Sequence, residues 1–309
     1  MKQLDFIIIG AQKSATTSLY RYLNPHPSIF MSSNKEAPFF SDDKFFNEGW
    51  DKFSKEFFKG ASKEKLWGTA SPQYMGNKVT AKRIYDQMPK TRLIALLRNP
   101  VERAYSHYTM SSRRDFDNRS FDQAVDDLIQ EETMLNARNI MPVIKEGEIN
   151  EDESNHYLVW GEYGRILQEF LKYFPQDQLL VLFMDDMAND PVTTYKKVIK
   201  FIGINDDFVP ANVGKIYHKG GKNMFIPEAW RSKLKNNSIF RFFWKLIPDR
   251  IRTNARVWYD HKNIKKDNVD EGPSDSAKSI LIDYYAKDIK LLEDIIGTSV
   301  PWKEFQLQG

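Results

Sequence analysis

The run Phe6-Ile7-Ile8-Ile9 is four consecutive apolar residues ending at Gly10. So short an unbroken apolar run predicts a buried parallel strand, because a strand covered on both faces has no polar side. After a polar loop, Thr17 to Leu23 predicts a helix with Leu19, Tyr20 and Leu23 on one face, stopped by Asn24-Pro25. Strand, short polar loop and helix open a βαβ unit. A second unit runs through a helix over Thr80–Met88 and a strand over Arg92–Leu97. There Arg98-Asn99-Pro100 turns into a new helix, with Asn99 suited to the N-cap and Pro100 to the first helical position. A third places a helix over Tyr163–Tyr173, a strand over Leu179–Phe183 and a helix over Thr193–Phe201. The alternation predicts an α/β fold, a central parallel sheet flanked by helices.

Other segments are less regular. Ser111 to Asn155 is polar and charge-rich, with one helix opened by the capping box Ser120-x-x-Gln123 and carried by Phe121, Val125, Leu128 and Ile129. Glu146 to Asn155 reads as an acidic loop, Phe225 to Val269 as a basic, aromatic segment, and Ala277 to Ile296 as a last amphipathic helix. No repeat and no linker stands out, so residues 1–309 read as one domain with insertions at 111–155 and 225–269.

Composition narrows the function classes. The chain has 309 residues, 41% hydrophobic and 28% charged, which is ordinary for a globular protein. Net charge is +3, from 45 basic and 42 acidic residues, so nothing favours a nucleic-acid partner. With no cysteine there is no disulfide, thiolate metal site or thiol nucleophile. No apolar run is long enough for a membrane span, and Met1 to Asp5 shows no signal-peptide pattern, so a cytoplasmic protein is expected.

Gly10-Ala11-Gln12-Lys13-Ser14-Ala15-Thr16-Thr17-Ser18 lies between a buried strand and a helix N-terminus. Backbone N–H groups in such a turn and the positive end of the helix dipole make an anion site, to which Lys13 adds a full charge. This is P-loop-like geometry and predicts a three-layer fold. The ATP-binding loop needs G-x-x-x-x-G-K-[ST], but Ala15, Thr16 and Thr17 occupy the last three positions here. The displaced lysine suits one 5′-phosphate and its attached group. A polar turn with an incidental lysine is the plain alternative.

Arg98 follows the strand Arg92–Leu97 where many nucleotide triphosphatases place a magnesium-holding Asp, and Ser106 follows eight residues later. Alone, Arg98 reads as a salt-bridge residue. Beside the first loop it makes a second anion site, and the two together predict a nucleotide with phosphates at both ends.

The loop G-A-Q-K-S-A-T-T-S, then N-P-H-P, N-K-E-A-P-F-F and L-R-N-P-V-E-R-A-Y-S-H-Y, resembles the sulfotransferases that use 3′-phosphoadenosine 5′-phosphosulfate (PAPS), in their heparan-sulfate-type and bacterial branch. The resemblance extends through Gly161-Glu162-Tyr163, the strand ending near Asp185-Asp186, and a closing helix followed by Gly297 and Trp302. It implies that Lys13 stabilises the leaving phosphate oxygen, with Gly10, Ala11, Gln12, Ser14, Ala15, Thr16, Thr17 and Ser18 in the 5′-phosphosulfate cradle. Arg98 and Ser106 would hold the 3′-phosphate, and Lys219-Gly220-Gly221-Lys222 would close over the nucleotide, though it also reads as a basic surface loop. Glu36 matches the branch's catalytic base, and Phe39 and Phe40 suggest an aromatic pocket around it.

The resemblance implies PAPS as donor, adenosine 3′,5′-bisphosphate as product, and no metal. Thr69-Ala70-Ser71-Pro72 departs from it, standing where relatives carry a Glu or a second catalytic Lys. His107 is the alternative base, as in the cytosolic branch, but reads as structural; so does His26. A P-loop kinase, supported by Asp185-Asp186, and a nucleotide-binding protein without chemistry are the competing readings. The acceptor, a small molecule, polyketide or carbohydrate, is expected against Ser32 to Phe46, Tyr74 and the two insertions.

Overall fold

The computed structural model describes residues 2–63, 65–113, 116–139, 151–217, 223–224, 264–265 and 272–306. Five parallel strands form its central sheet: β1 (Phe6–Gly10), β2 (Ile29–Met31), β3 (Leu66–Ala70), β4 (Arg92–Leu97) and β5 (Leu179–Phe183), in the order β2-β3-β1-β4-β5. Register runs Ile8 against Ala70 on one side and Ile8 against Ile94 on the other. The chain leaves β1 toward β3 and β2, then crosses back to β4 and β5. The direction of winding therefore reverses between β1 and β4, and the crevice beyond their C-terminal ends is where open α/β sheets bind ligands.

The alternation of side chains along β1 builds two cores. Ile7 and Ile9 face one core with Leu93, Ala95 and Leu97, while Phe6 and Ile8 face the other with Ile94 and Leu96. Helices cover both faces, giving three layers. On one side lie α1 (Thr16–Leu23) and α11 (Pro191–Phe201), through Leu19, Tyr22, Leu23, Tyr195 and Val198. On the other lie α3 (Trp50–Phe57), α5 (Thr80–Gln87), α6 (Pro100–Ser112), α9 (Tyr163–Leu171) and α12 (Asp275–Ile296). Between them run α2 (Asp43–Glu48), α4 (Gln73–Gly76), α7 (Phe121–Leu128), α8 (Glu131–Asn139) and α10 (Met184–Asn189). Burying each large apolar side chain contributes roughly 1.5–3 kcal/mol, so the sheet is anchored from both faces.

The three expected β/α units are present, with differences in detail. The buried face of α1 uses Leu19, Tyr22 and Leu23, with Tyr20 only half-buried and its hydroxyl donating to Ser32 O. Helix α11 begins two residues early, because the Asp190 side chain accepts from Thr193 N and Pro191 takes the first helical position. The capping box at Ser120 and Gln123 forms as expected. Strands β2 and β3 are additions that the apolar pattern did not reveal. Gly68, in the middle of β3, is required by packing: a Cβ there would lie 2.1 Å from the Phe6 ring. Among the described residues, no helix is long and apolar enough to cross a membrane.

Candidate active site

The first loop leaves β1 at Gly10, against α4; a Cβ on Gly10 would meet Met75 Cβ at 2.6 Å. Ala11 N donates to Leu96 O at 2.8 Å, tying the loop to β4. Lys13 and Ala15 then adopt left-handed backbone conformations, at φ 69° and 59°, on either side of Ser14. Each such residue costs on the order of 1–3 kcal/mol, and strain of this kind gathers where a backbone is shaped for a ligand. Helix α1 starts immediately afterwards at Thr16, so its N-terminal amides head the loop, with Ser18 N donating to Ala15 O at 2.9 Å. Thr16 and Ser18 are buried and Thr17 half-buried; Ser18 Oγ accepts from Tyr217 N at 3.3 Å.

The Lys13 side chain extends toward α6, its Nζ 3.6 Å from Met110 Sδ. Gln12 points toward the turn at Glu151–Asn155, with Nε2 3.5 Å from Glu153 Oε1. His107 is fully buried on α6, stacked on Trp160 with centroids 5.3 Å apart, and among the described residues neither ring nitrogen has a partner within hydrogen-bonding distance. Burial lowers its pKa to about 4, and the charges of Arg103 and Lys13 act in the same direction. The Glu153 carboxylate, 3.9 Å from Nε2, opposes this only in part. His107 is therefore a neutral packing residue near Lys13.

The second turn expected to hold an anion follows the neighbouring strand. Asn99 caps α6, its Oδ1 accepting from Val101 N at 3.0 Å and Glu102 N at 3.3 Å, with Pro100 at the first helical position. Arg98 Nε and Nη2 lie 3.0 and 2.9 Å from Glu102 Oε2. Ser106, half-buried, stands four residues beyond Glu102 on the same helical face. Arg98 carries a salt bridge in this state, yet it sits at the C-terminal end of β4, beside the loop from β1.

Glu36 approaches from the β3 side. Its backbone is left-handed at φ 69°, and its amide donates to Ala70 O at 2.7 Å. The next carbonyl, of Ala37, accepts from both Ser71 Oγ at 2.7 Å and Tyr74 OH at 2.5 Å. These bonds set Glu36 at the C-terminal end of β3, next to β1. Its side chain is half exposed and lies 2.5 Å from Lys35 Nζ.

The expected aromatic pocket around Glu36 is not there. Phe39 and Phe40 turn inward and pack with Trp50, Phe53 and Tyr74, so they exclude water from the core and not from the carboxylate. Ser32 and Tyr74, expected against an acceptor, are also buried: Ser32 Oγ meets Thr69 Oγ1 at 2.9 Å, and Tyr74 holds Ala37. The segment Thr69-Ala70-Ser71 thus serves as scaffold for Glu36. Sequence reasoning missed this, although the hydroxyls of Ser71 and Tyr74 were visible beside a strand end.

Asp185 Oδ2 accepts from Trp302 Nε1 at 3.2 Å, so the acidic pair starting α10 belongs to the packing of the C-terminal segment. His26 is buried, with Nε2 3.2 Å from Asp206 Oδ1, and Ser28 N donates to its Nδ1 at 3.1 Å. Lys219-Gly220-Gly221-Lys222 lies outside the described residues. The chain leading to it is docked on α1 through Tyr217, whose ring also lies 4.9 Å from the Arg21 guanidinium.

Three kinds of similarity bear on this arrangement. Over 109 residues, 35% of the chain, it is 39% identical to the membrane-associated sulfotransferase kil1 of Dictyostelium discoideum. Over 211 residues, 64% of the chain, it is 30% identical to the human bifunctional heparan sulfate N-deacetylase/N-sulfotransferase 2. The matched segments span only 23% and 22% of the lengths of these two relatives. In fold, a crystal structure of a sulfotransferase from Alicyclobacillus acidocaldarius matches with a TM-score of 0.66 at 22% identity, covering 99% of this chain and 100% of the other. A sequence model of the sulfotransferase domain matches residues 3–219, which contain the Lys13 loop, the Arg98 turn and Glu36, and the chain belongs to the sulfotransferase family.

Proposed function

We propose that this protein transfers the sulfuryl group of PAPS to a hydroxyl of a small-molecule, polyketide or carbohydrate acceptor. The observation that carries this reading is the pairing of two cationic turns, at Lys13 and at Arg98, beyond the C-terminal ends of adjacent strands β1 and β4. A nucleotide with 5′ and 3′ phosphates spans two such turns, whereas ATP needs a lysine where this loop has Thr16.

In this reading Gly10 to Ser18 hold the 5′ side through backbone amides, and Arg98 and Ser106 hold the 3′-phosphate, Arg98 exchanging its Glu102 contact for it. Lys13 neutralises charge developing on the bridging phosphate oxygen, an effect exerted mostly in the transition state. Glu36 accepts the acceptor's proton as the nucleophile attacks sulfur in line. Its access to solvent and its three-bond backbone support favour it over His107, which is buried and weakly basic. The insertions 111–155 and 225–269 are the segments assigned to the acceptor and Lys219 to Lys222 to the nucleotide, although 140–150, 218–222, 225–263 and 266–271 lie outside the described residues. The chemistry requires no metal. The kinase and chemistry-free readings are not favoured, since family and loop sequence both point to sulfuryl transfer.

The test is transfer of labelled sulfuryl from PAPS across alcohols, phenols, sugars and amines. Labelled sulfate esters are expected. Transfer to amines alone would overturn the hydroxyl assignment, and label transfer from ATP instead of PAPS would overturn the donor.

A further inference from the structure

One buried phenol stands between the two anion turns. Tyr163, the first residue of α9, is fully buried, and its hydroxyl donates to the backbone carbonyl of Arg98 at 2.8 Å. The same hydroxyl lies close enough to the Ser14 side chain to feel its dipole. Ser14 is itself fully buried, and among the described residues its Oγ meets no partner within hydrogen-bonding distance. Tyr163 thus touches the turn expected to hold the 3′-phosphate and adjoins the loop expected to hold the 5′ side.

Its own position is heavily determined. The amides of Gly164 and Arg165 donate to Asp288 Oδ2 and Oδ1 at 2.9 and 2.8 Å, fixing the start of α9 against α12. Preceding Glu162 is bound by Arg138, by Arg165 Nε at 2.5 Å and by Tyr284 OH at 2.5 Å. The Trp302 ring packs on the phenol, with centroids 6.1 Å apart. Burial pushes the phenol up to about 12, so it keeps its proton and remains a donor across the working pH range.

We infer that Tyr163 is a positioning residue that sets the separation of the Lys13 loop and the Arg98 turn, and so sets the preference for a nucleotide phosphorylated at both 3′ and 5′ ends over one phosphorylated only at 5′. The inference rests on the donor reading above. Without the hydroxyl, the Arg98 carbonyl loses its buried donor and the turn is no longer pre-organised for the 3′-phosphate, while the 5′ cradle keeps its own backbone bonds.

Isothermal titration of the full chain with adenosine 3′,5′-bisphosphate and with AMP tests this, in wild type and Tyr163→Phe. Wild type should prefer the bisphosphate. Tyr163→Phe should bind it about tenfold more weakly while AMP affinity changes less than about twofold. Should Tyr163→Phe fail to fold, Tyr163→Met, which also lacks the hydroxyl, gives the same comparison. Loss of affinity for both ligands in equal ratio, or no loss, overturns the positioning role. A wild type without any preference overturns the donor reading and this inference with it.

Discussion

Lys35 and Glu36 are joined through their side chains as well as their backbone, with Nζ 2.5 Å from Oε1. The carboxylate is thereby held by a neighbouring cation, and in the proposed mechanism an acceptor hydroxyl shares it with Lys35. Glu36→Gln keeps the shape and loses proton acceptance. Turnover should fall by about 10²–10⁴-fold with donor affinity nearly unchanged, and the acidic limb of the pH–rate profile should disappear. A variant with near-normal turnover would remove Glu36 from the mechanism.

Glu36 is held in its left-handed conformation through the Ala37 carbonyl, so that carbonyl's donors should matter for chemistry. Tyr74→Phe removes one of two buried hydroxyls on Ala37 and leaves the ring in the core. Steady-state kinetics should show kcat reduced by about 5–10-fold and KM for PAPS within about twofold, as expected when a buried hydrogen bond is lost at a distance from the nucleotide. A rise in KM with kcat unchanged would mean that Tyr74 acts on the donor instead.

Lys13 is expected to act on the leaving oxygen and not merely to attract an anion. Lys13→Ala should lower kcat by on the order of 10²-fold or more, while donor affinity weakens far less. Equal losses in both would show uniform binding.

Stability should report the burial of His107. Its folded pKa is lowered to about 4 from the ordinary histidine value of about 6.5, so between these values the unfolded chain binds more protons. The stability linked to neutral His107 is therefore full above pH 6.5 and is lost as pH falls toward 4, by roughly 3 kcal/mol in all. Asp288, pushed up to about 6 by burial, has the opposite sign: its contribution is present below about pH 3.8 and is lost as pH rises through 6. Comparing wild type with His107→Leu by urea unfolding at pH 7 and pH 4.5 cancels the Asp288 effect. Wild type should lose ground to the variant at the lower pH, and a pH-independent difference would contradict the burial argument.

Much of the fold was legible because it rests on local signals. Phe6–Ile9, Arg92–Leu97 and Leu179–Phe183 are apolar runs that became strands of the sheet, and Asn99-Pro100 became a helix start. Strand β3 escaped notice because Gly68 reads as a breaker, when its missing side chain makes room for the Phe6 ring. The Lys13 loop and the Arg98 turn were legible as strand, turn and helix start for the same local reason. The surroundings of Glu36 were not. Phe39 and Phe40 follow it in sequence, but which way they point depends on Trp50, Phe53 and Tyr74, brought in from other elements. Tyr163 and Glu153 were illegible as neighbours of the first loop, lying 149 and 141 positions from their respective loop residues, Ser14 and Gln12.

On the proposed reading, two cationic turns on adjacent strands select a nucleotide with phosphates at both ends. Thermal unfolding of the wild-type chain with adenosine 3′,5′-bisphosphate or with ATP, each at the same concentration and without metal, tests it most directly, because a ligand that binds only the folded state raises Tm by mass action. The bisphosphate should raise Tm by several degrees and ATP far less, with the difference lost in Arg98→Ala. Equal stabilisation by ATP would contradict the assignment of Arg98 and Ser106, and with it the donor.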